Sequence, residues 1–253
     1  MADWKKKPDK EKEDMDFLKG AEDNLDGFEE INAATMAIPF IKLAQKLTPE
    51  TKKNKAQFIR GLEEGNFFNS VTKEIYGDEV NLIVLKFERI YIEWLPKREG
   101  FVDYHSVERA EQIAEDKTFG KWKTKSGNLL QENYVYFVLA EDHVDEGPAV
   151  LSLSSTQIKK AKEWNRLMTT HIMDNGRRAL PYYIVWNVST VPMTNDQGDW
   201  FGLSITFDRY INKNEYEVLQ PERKALPDKR VDYAQIEGRV DEDADGDEEE
   251  IEY

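Results

Sequence analysis

A chain of 253 residues is long enough for one well-filled core with charged flanks. It has no cysteine and only three histidines, His105, His143 and His171, far apart in sequence, which excludes disulfides, thiolate zinc sites and a cysteine nucleophile. The net charge of -15 is unevenly spread: residues 1–30 hold eleven acids against six lysines, residues 241–253 nine acids and no base, and residues 31–220 hold 26 acids and 24 bases, leaving a near-neutral middle that is compatible with a phosphate-binding surface.

Residues 1–30 read as a flexible charged arm, because Trp4, Phe17, Leu18, Leu25 and Phe28 are too scattered to enclose a core. Their start, Met1-Ala2-Asp3-Trp4-Lys5, leads into charge with no apolar signal segment, and no apolar run approaches the ~20 residues of a membrane span, so a cytoplasmic protein without membrane contact is expected. Ordered sequence begins at Ile38-Pro39-Phe40-Ile41, and Thr48-Pro49-Glu50 stops that run. Hairpins follow: Phe67-Phe68-Asn69-Ser70-Val71 between Gly61, Gly65 and the Tyr76-Gly77-Asp78 turn, then Val80 to Phe87 continuing through Arg89 to Leu95 until Pro96. A β-branched and aromatic stretch of that length predicts a bulge or bend. Val107, Ala110, Ile113 and Ala114 give helical spacing over 104–118. Lys121 to Lys125 and Asn133 to Leu139 pair as a hairpin across Ser126-Gly127-Asn128. Ala149 to Leu153 is a short strand. Ser154 or Ser155 then caps a helix whose stripe is Ile158, Ala161, Trp164, Leu167 and Met168. The last strands run over 182–191 and 200–207, and residues 221–253 read as a disordered acidic tail. Many short strands around one internal amphipathic helix predict a β-rich α+β fold over 31–220, a partly open Greek-key barrel with helical insertions.

Enzymatic motifs are missing: there is no phosphate loop, paired-His zinc helix, nucleophile elbow or Rossmann fingerprint, and neither catalysis nor a cofactor is expected. The run Asp241-Glu242-Asp243-Ala244-Asp245-Gly246 followed by Glu252 meets the calcium-loop pattern, but only Tyr253 follows where a helix is required. More informative is the interleaving of rings and cations on strands: Phe67 and Phe68 with Lys73; Lys86, Arg89, Tyr91 and Trp94; and Lys121, Trp122, Lys123 and Lys125 facing Tyr134 and Tyr136. Single-strand binding needs flat π-faces on which bases stack and cations that track phosphates. Strand alternation puts Lys121, Lys123 and Lys125 on one face and Trp122 on the other, so each ring is open to a second reading as core. The tail ends Asp247-Glu248-Glu249-Glu250-Ile251-Glu252-Tyr253, an apolar tip on an acidic tether suited to docking on protein partners and to competing with nucleic acid for a basic groove.

The chain resembles single-stranded DNA-binding proteins of tailed bacteriophages. The likeness rests on Ile38-Pro39-Phe40-Ile41-Lys42-Leu43-Ala44-Gln45 with Thr48-Pro49-Glu50, on Gly65-Asn66-Phe67-Phe68-Asn69-Ser70-Val71-Thr72, on Tyr91-Ile92-Glu93-Trp94, on Leu151-Ser152-Leu153-Ser154-Ser155-Thr156-Gln157, and on the acidic tail with its aromatic end. It spans residues 38–207. It implies an OB fold, sequence-independent protection of single strands during replication and recombination, and a tail that recruits polymerase, helicase or primase. The tail here ends in tyrosine, where related tails often end in phenylalanine. The alternative is a phage structural or virion-packaged protein making protein contacts only. A homodimer is compatible with either.

Overall fold

The computed structural model describes residues 38–118, 121–195, 198–226, 231, 233 and 234, with the side chains of Lys121, Asp145 and Asn195 excepted. Its longest strand, β4 (Glu79–Trp94), organises the rest. Up to Val84 the even-numbered residues Val80, Leu82 and Val84 face an inner core, and Ile83 and Leu85 face an outer one. The pairing register then shifts between Val84 and Lys86, which is the predicted bulge. One extra residue reverses the alternation, so that Ile90, Ile92 and Trp94 join the outer core instead.

On one side β4 pairs with β10 (Ile184–Asn195) over its first half and with β5 (Phe101–Ser106) over its second. On the other side it pairs along most of its length with β8 (Leu129–Ala140). Next to β10 runs β11 (Gly198–Tyr210); next to β8 run β9 (Ala149–Ser154) and, further along, β7 (Lys121–Thr124) with β6 (Ala114–Thr118). A separate sheet of β1 (Ile41–Leu43), β2 (Phe67–Asn69) and β3 (Ile75–Gly77) stands beside it. The sequence β11-β10-β4-β8-β9 is a curled antiparallel half-barrel, consistent with an OB-like barrel.

The small sheet meets both ends of this curl. Phe40 bridges to Val150 on β9, and the Val150 N–H donates to the Pro39 carbonyl at 2.8 Å. At the opposite edge Gln45 replaces a strand partner: its Nε2 donates to the Phe201 carbonyl at 2.8 Å, and its Oε1 accepts from the Phe201 N–H at 2.9 Å. The Phe201 ring lies against Gly65, where a Cβ would come within 2.7 Å of it, and the Gly65 backbone is left-handed at φ +87°. Only glycine meets both demands.

Helix α1 (Val107–Ile113), α2 (Ile158–Thr170) and α3 (Lys213–Ala225) complete the fold. Ala161, Trp164 and Met168 of α2 enter the inner core with Trp186 and Tyr136. No serine side chain caps α2, because a short 3-10 turn at Ser155–Gln157 leads directly into it. The predicted helix over 104–118 is shorter than its spacing suggests. Ser106 caps it by accepting from the Arg109 N–H, and both flanks are pulled into strands, His105 opposite Tyr91 and Ala114 opposite Thr124. Order also continues past residue 220, where a tail is expected: Leu219, Leu226 and Tyr233 are buried on the outer core. A capping box between Asn212 and Glu215 starts α3. Arg209 holds Glu215 through two hydrogen bonds, 2.9 and 2.5 Å, and also pairs with Glu141. Burial opposes the charge on Glu215, but Arg209 and the Asn212 N–H outweigh it and hold the carboxyl below its usual range.

Candidate nucleic-acid interface

Most of the predicted stacking rings are interior. Phe67 and Phe68 are 0% exposed, one in the inner core and the other against Ala44, Ile59 and Leu62. Tyr134 and Tyr136 belong to the inner core and Trp94 to the outer one, where its Nε1 donates to Gln131. Tyr91 is buried beneath Trp122, ring on ring at 4.8 Å and 19°, with Lys117 Nζ 5.2 Å from the Trp122 centroid. Trp122 itself is half-buried in the cluster of Tyr91, Ala110 and Leu130. Six of these seven rings are buried, and Trp122 is half-buried against Tyr91. The correction has one physical cause: a large apolar ring on a sheet gains more from filling the face that is covered than from facing water.

The predicted cations divide differently. Lys86 lies on the outer face, paired with Glu88 at 2.6 Å and 5.2 Å from the Phe137 ring. Lys73 is exposed in a left-handed turn at φ 66° and donates to the Ser70 carbonyl. Lys123 and Lys125 are exposed, and Lys121 lies on β7 with its side chain outside the description. Arg89 pairs with Glu132 at 2.6 Å and donates to the Tyr91 hydroxyl at 3.3 Å. Burial works against the Arg89 charge, yet Glu132 more than offsets it and raises the pKa. The structure thus brings Arg89, Tyr91, Trp122 and Tyr134 onto one face and scatters the other predicted residues.

Helix α2, packed on the inner core, and the loop after it carry what sequence reasoning missed. Residues 158–180 contain Lys159, Lys160, Lys162, Arg166, Arg177 and Arg178 against only Glu163 and Asp174. All six cations are exposed. Lys160 takes up Glu163 at 2.8 Å, and no ion pair among the described residues involves the other five. Two partly bare rings pack on neighbours of this helix, Phe87 on Tyr136 and Phe207 on His171. Phe87, 38% exposed, packs on Tyr134 and Tyr136 at 5.5 and 5.1 Å between centroids. Phe207, 40% exposed, stacks on His171 at 4.6 Å and 16°. His171 follows α2 directly and is joined to the arginine loop, since the Ala179 N–H donates to its carbonyl at 3.0 Å. The signals were present: cations at helical spacing beside the apolar stripe, and a ring two residues past the bulge.

This is therefore a β-rich protein built on a curled antiparallel half-barrel, with a net-basic helix and loop and two partly bare rings on a chain of strongly negative charge. The chain belongs to the Pam3 phage gp34-like protein family, whose model matches residues 9–231, and it is thus a phage protein. Searches of the curated proteins and of the solved structures found no match. Among the described residues no helix is long and apolar enough to cross a membrane, and no group of three or more His, Asp or Glu residues is placed to hold a metal ion. The predicted tail residues Asp247 to Tyr253, and the arm 1–30, lie outside the described residues.

Proposed function

We propose that this protein binds single-stranded DNA without sequence preference and protects it during phage replication and recombination. The carrying observation is helix α2 with the loop after it, where five exposed cations form no ion pair among the described residues and the partly bare rings of Phe87 and Phe207 pack on neighbours of the helix. That combination suits a flexible strand, whose phosphates meet cations while its unpaired bases find π-faces. The half-barrel order, consistent with an OB-like fold, and membership of a phage family support the same reading. No chemical step and no cofactor is involved. The acidic tail, Asp247 to Tyr253, recruits replication proteins such as polymerase, helicase or primase and competes with DNA for the cations.

The test is a titration of the full chain with a labelled oligothymidine, followed by anisotropy at rising salt. Affinity falls steeply with salt if phosphate contacts dominate. Absence of binding at low salt, together with stoichiometric recovery of the protein from purified virions, would replace this reading with a structural role.

A further inference from the structure

The bulge in β4 decides which way Phe87 points. Without the shift between Val84 and Lys86, residue 87 would continue the odd-numbered series of Ile83 and Leu85 onto the outer face beneath α3. With it, Phe87 stands opposite Tyr136 on the inner face, and Arg89 stands opposite Tyr134 one pleat further on. Tyr136 is the link to the helix: its hydroxyl donates to the Ala161 carbonyl at 3.1 Å and to Asn165 Oδ1 at 2.9 Å. Phe87 therefore lies beside the flank of α2 that carries Asn165. On a helix of 3.6 residues per turn, Lys162 lies about 60° beyond Asn165 on that flank, and Arg166 lies about 100° beyond it, on the solvent side opposite the apolar stripe, with Lys159 next to Arg166 at i, i+7. The apolar stripe of Ala161, Trp164 and Met168 fixes the rotation of the helix and so holds Lys162 on the flank and Arg166 on the outer side. Glu163, the one acid on α2, is engaged on the other side by Lys160.

We infer that Phe87 is a base-stacking residue and that Lys162 and Arg166 contact phosphates of the same strand, which runs from β4 past the flank of α2 and over its outer side. This rests on the single-strand reading above and assigns its site to a helix flank, away from the predicted cations of β7. The Phe87 ring is well suited to it because Tyr134 and Tyr136 already support one side and fix its orientation. A ring held in place loses little freedom when a base covers it.

The experiment uses the full chain and a labelled oligothymidine at low salt. Phe87→Leu, which keeps apolar packing but removes the π-face, weakens binding roughly tenfold, and Phe87→Trp restores it with quenched emission. The double variant Lys162→Gln with Arg166→Gln lowers the magnitude of the salt slope by about 1.4, two contacts at ~0.7 each. Unfolding curves for each variant identify any loss that comes from misfolding. If the wild-type chain binds and Phe87→Leu binds equally well, the assignment to Phe87 is wrong while the single-strand reading stands. If the wild-type chain fails to bind any oligonucleotide, or prefers a polyglutamate peptide, the reading itself falls and the assignment with it.

Discussion

On β7, Trp122 sits between Lys121 and Lys123; on β4, Phe87 sits between Lys86 and Glu88 with Arg89 beyond. The two strands look alike as text, yet Trp122 turns onto Tyr91 in a covered cluster and Phe87 stays partly bare above Tyr136. The difference lies in what covers each face. α1 closes the face of β7 that carries Trp122, with Ala110, Val107 and Ile113 packed there. α2 meets Tyr136 through Asn165 and Ala161, and beside it the Phe87 ring keeps 38% of its surface open. Interleaved rings and cations thus mark a strand with one apolar face, and only the neighbouring element determines whether that face binds anything.

The largest effect expected along this contrast comes from a ring that is wholly interior. Trp164→Ala, which empties the contact with Tyr136 and Trp186, should cost about 3–5 kcal/mol in urea unfolding. A loss below 1 kcal/mol would mean that the inner core is not packed as described. Gly65→Ala combines a left-handed backbone with a collision at Phe201 and should cost about 2–4 kcal/mol. Unchanged stability there would show that the small sheet does not meet β11 in solution. Trp122→Ala is expected to lower stability by about 2 kcal/mol, less than Trp164→Ala because the ring is only half-buried, while leaving oligothymidine affinity within about twofold. A tenfold loss of affinity in a fully folded Trp122 variant would restore β7 as the binding strand. The smallest effect concerns α3. Glu215 has a depressed folded pKa, so its contribution is complete above the ordinary carboxylate value of about 4.3 and is lost as pH falls through the lower folded value. The wild type should lose more stability than Glu215→Gln on acidification through this window, as read from urea midpoints; parallel pH profiles would show that Arg209 does not hold the group.

The strand runs of β4, β8, β9, β10 and β11 were legible because each is a β-branched or aromatic stretch bounded by glycine, proline or asparagine turns. The stripe of α2 was equally plain. Two elements escaped for opposite reasons. The helix expected over 104–118 kept only its centre, because the sheet offered hydrogen-bond partners to both flanks, a gain that local spacing does not report. α3 is not predicted, and its last turn falls in the expected tail, because its sequence is polar overall, yet a few well-placed residues, Leu219 with Leu226 and Tyr233 beyond it, are enough to dock it on a ready apolar surface.

For the candidate site, the sequence by itself determined the inventory: a near-neutral middle rich in rings and cations, strands to carry them, and acidic ends. It also determined that β4 had to bend, since so long an apolar strand must turn to enclose a core. Which rings remain bare was decided only by the tertiary structure. A one-residue bulge turns Phe87 from the outer face to the inner one, where its ring stays partly bare, and α2, fixed by Trp164, carries Lys162 and Arg166 exposed. Composition is a property of the chain, whereas exposure is a property of the faces that other elements leave uncovered.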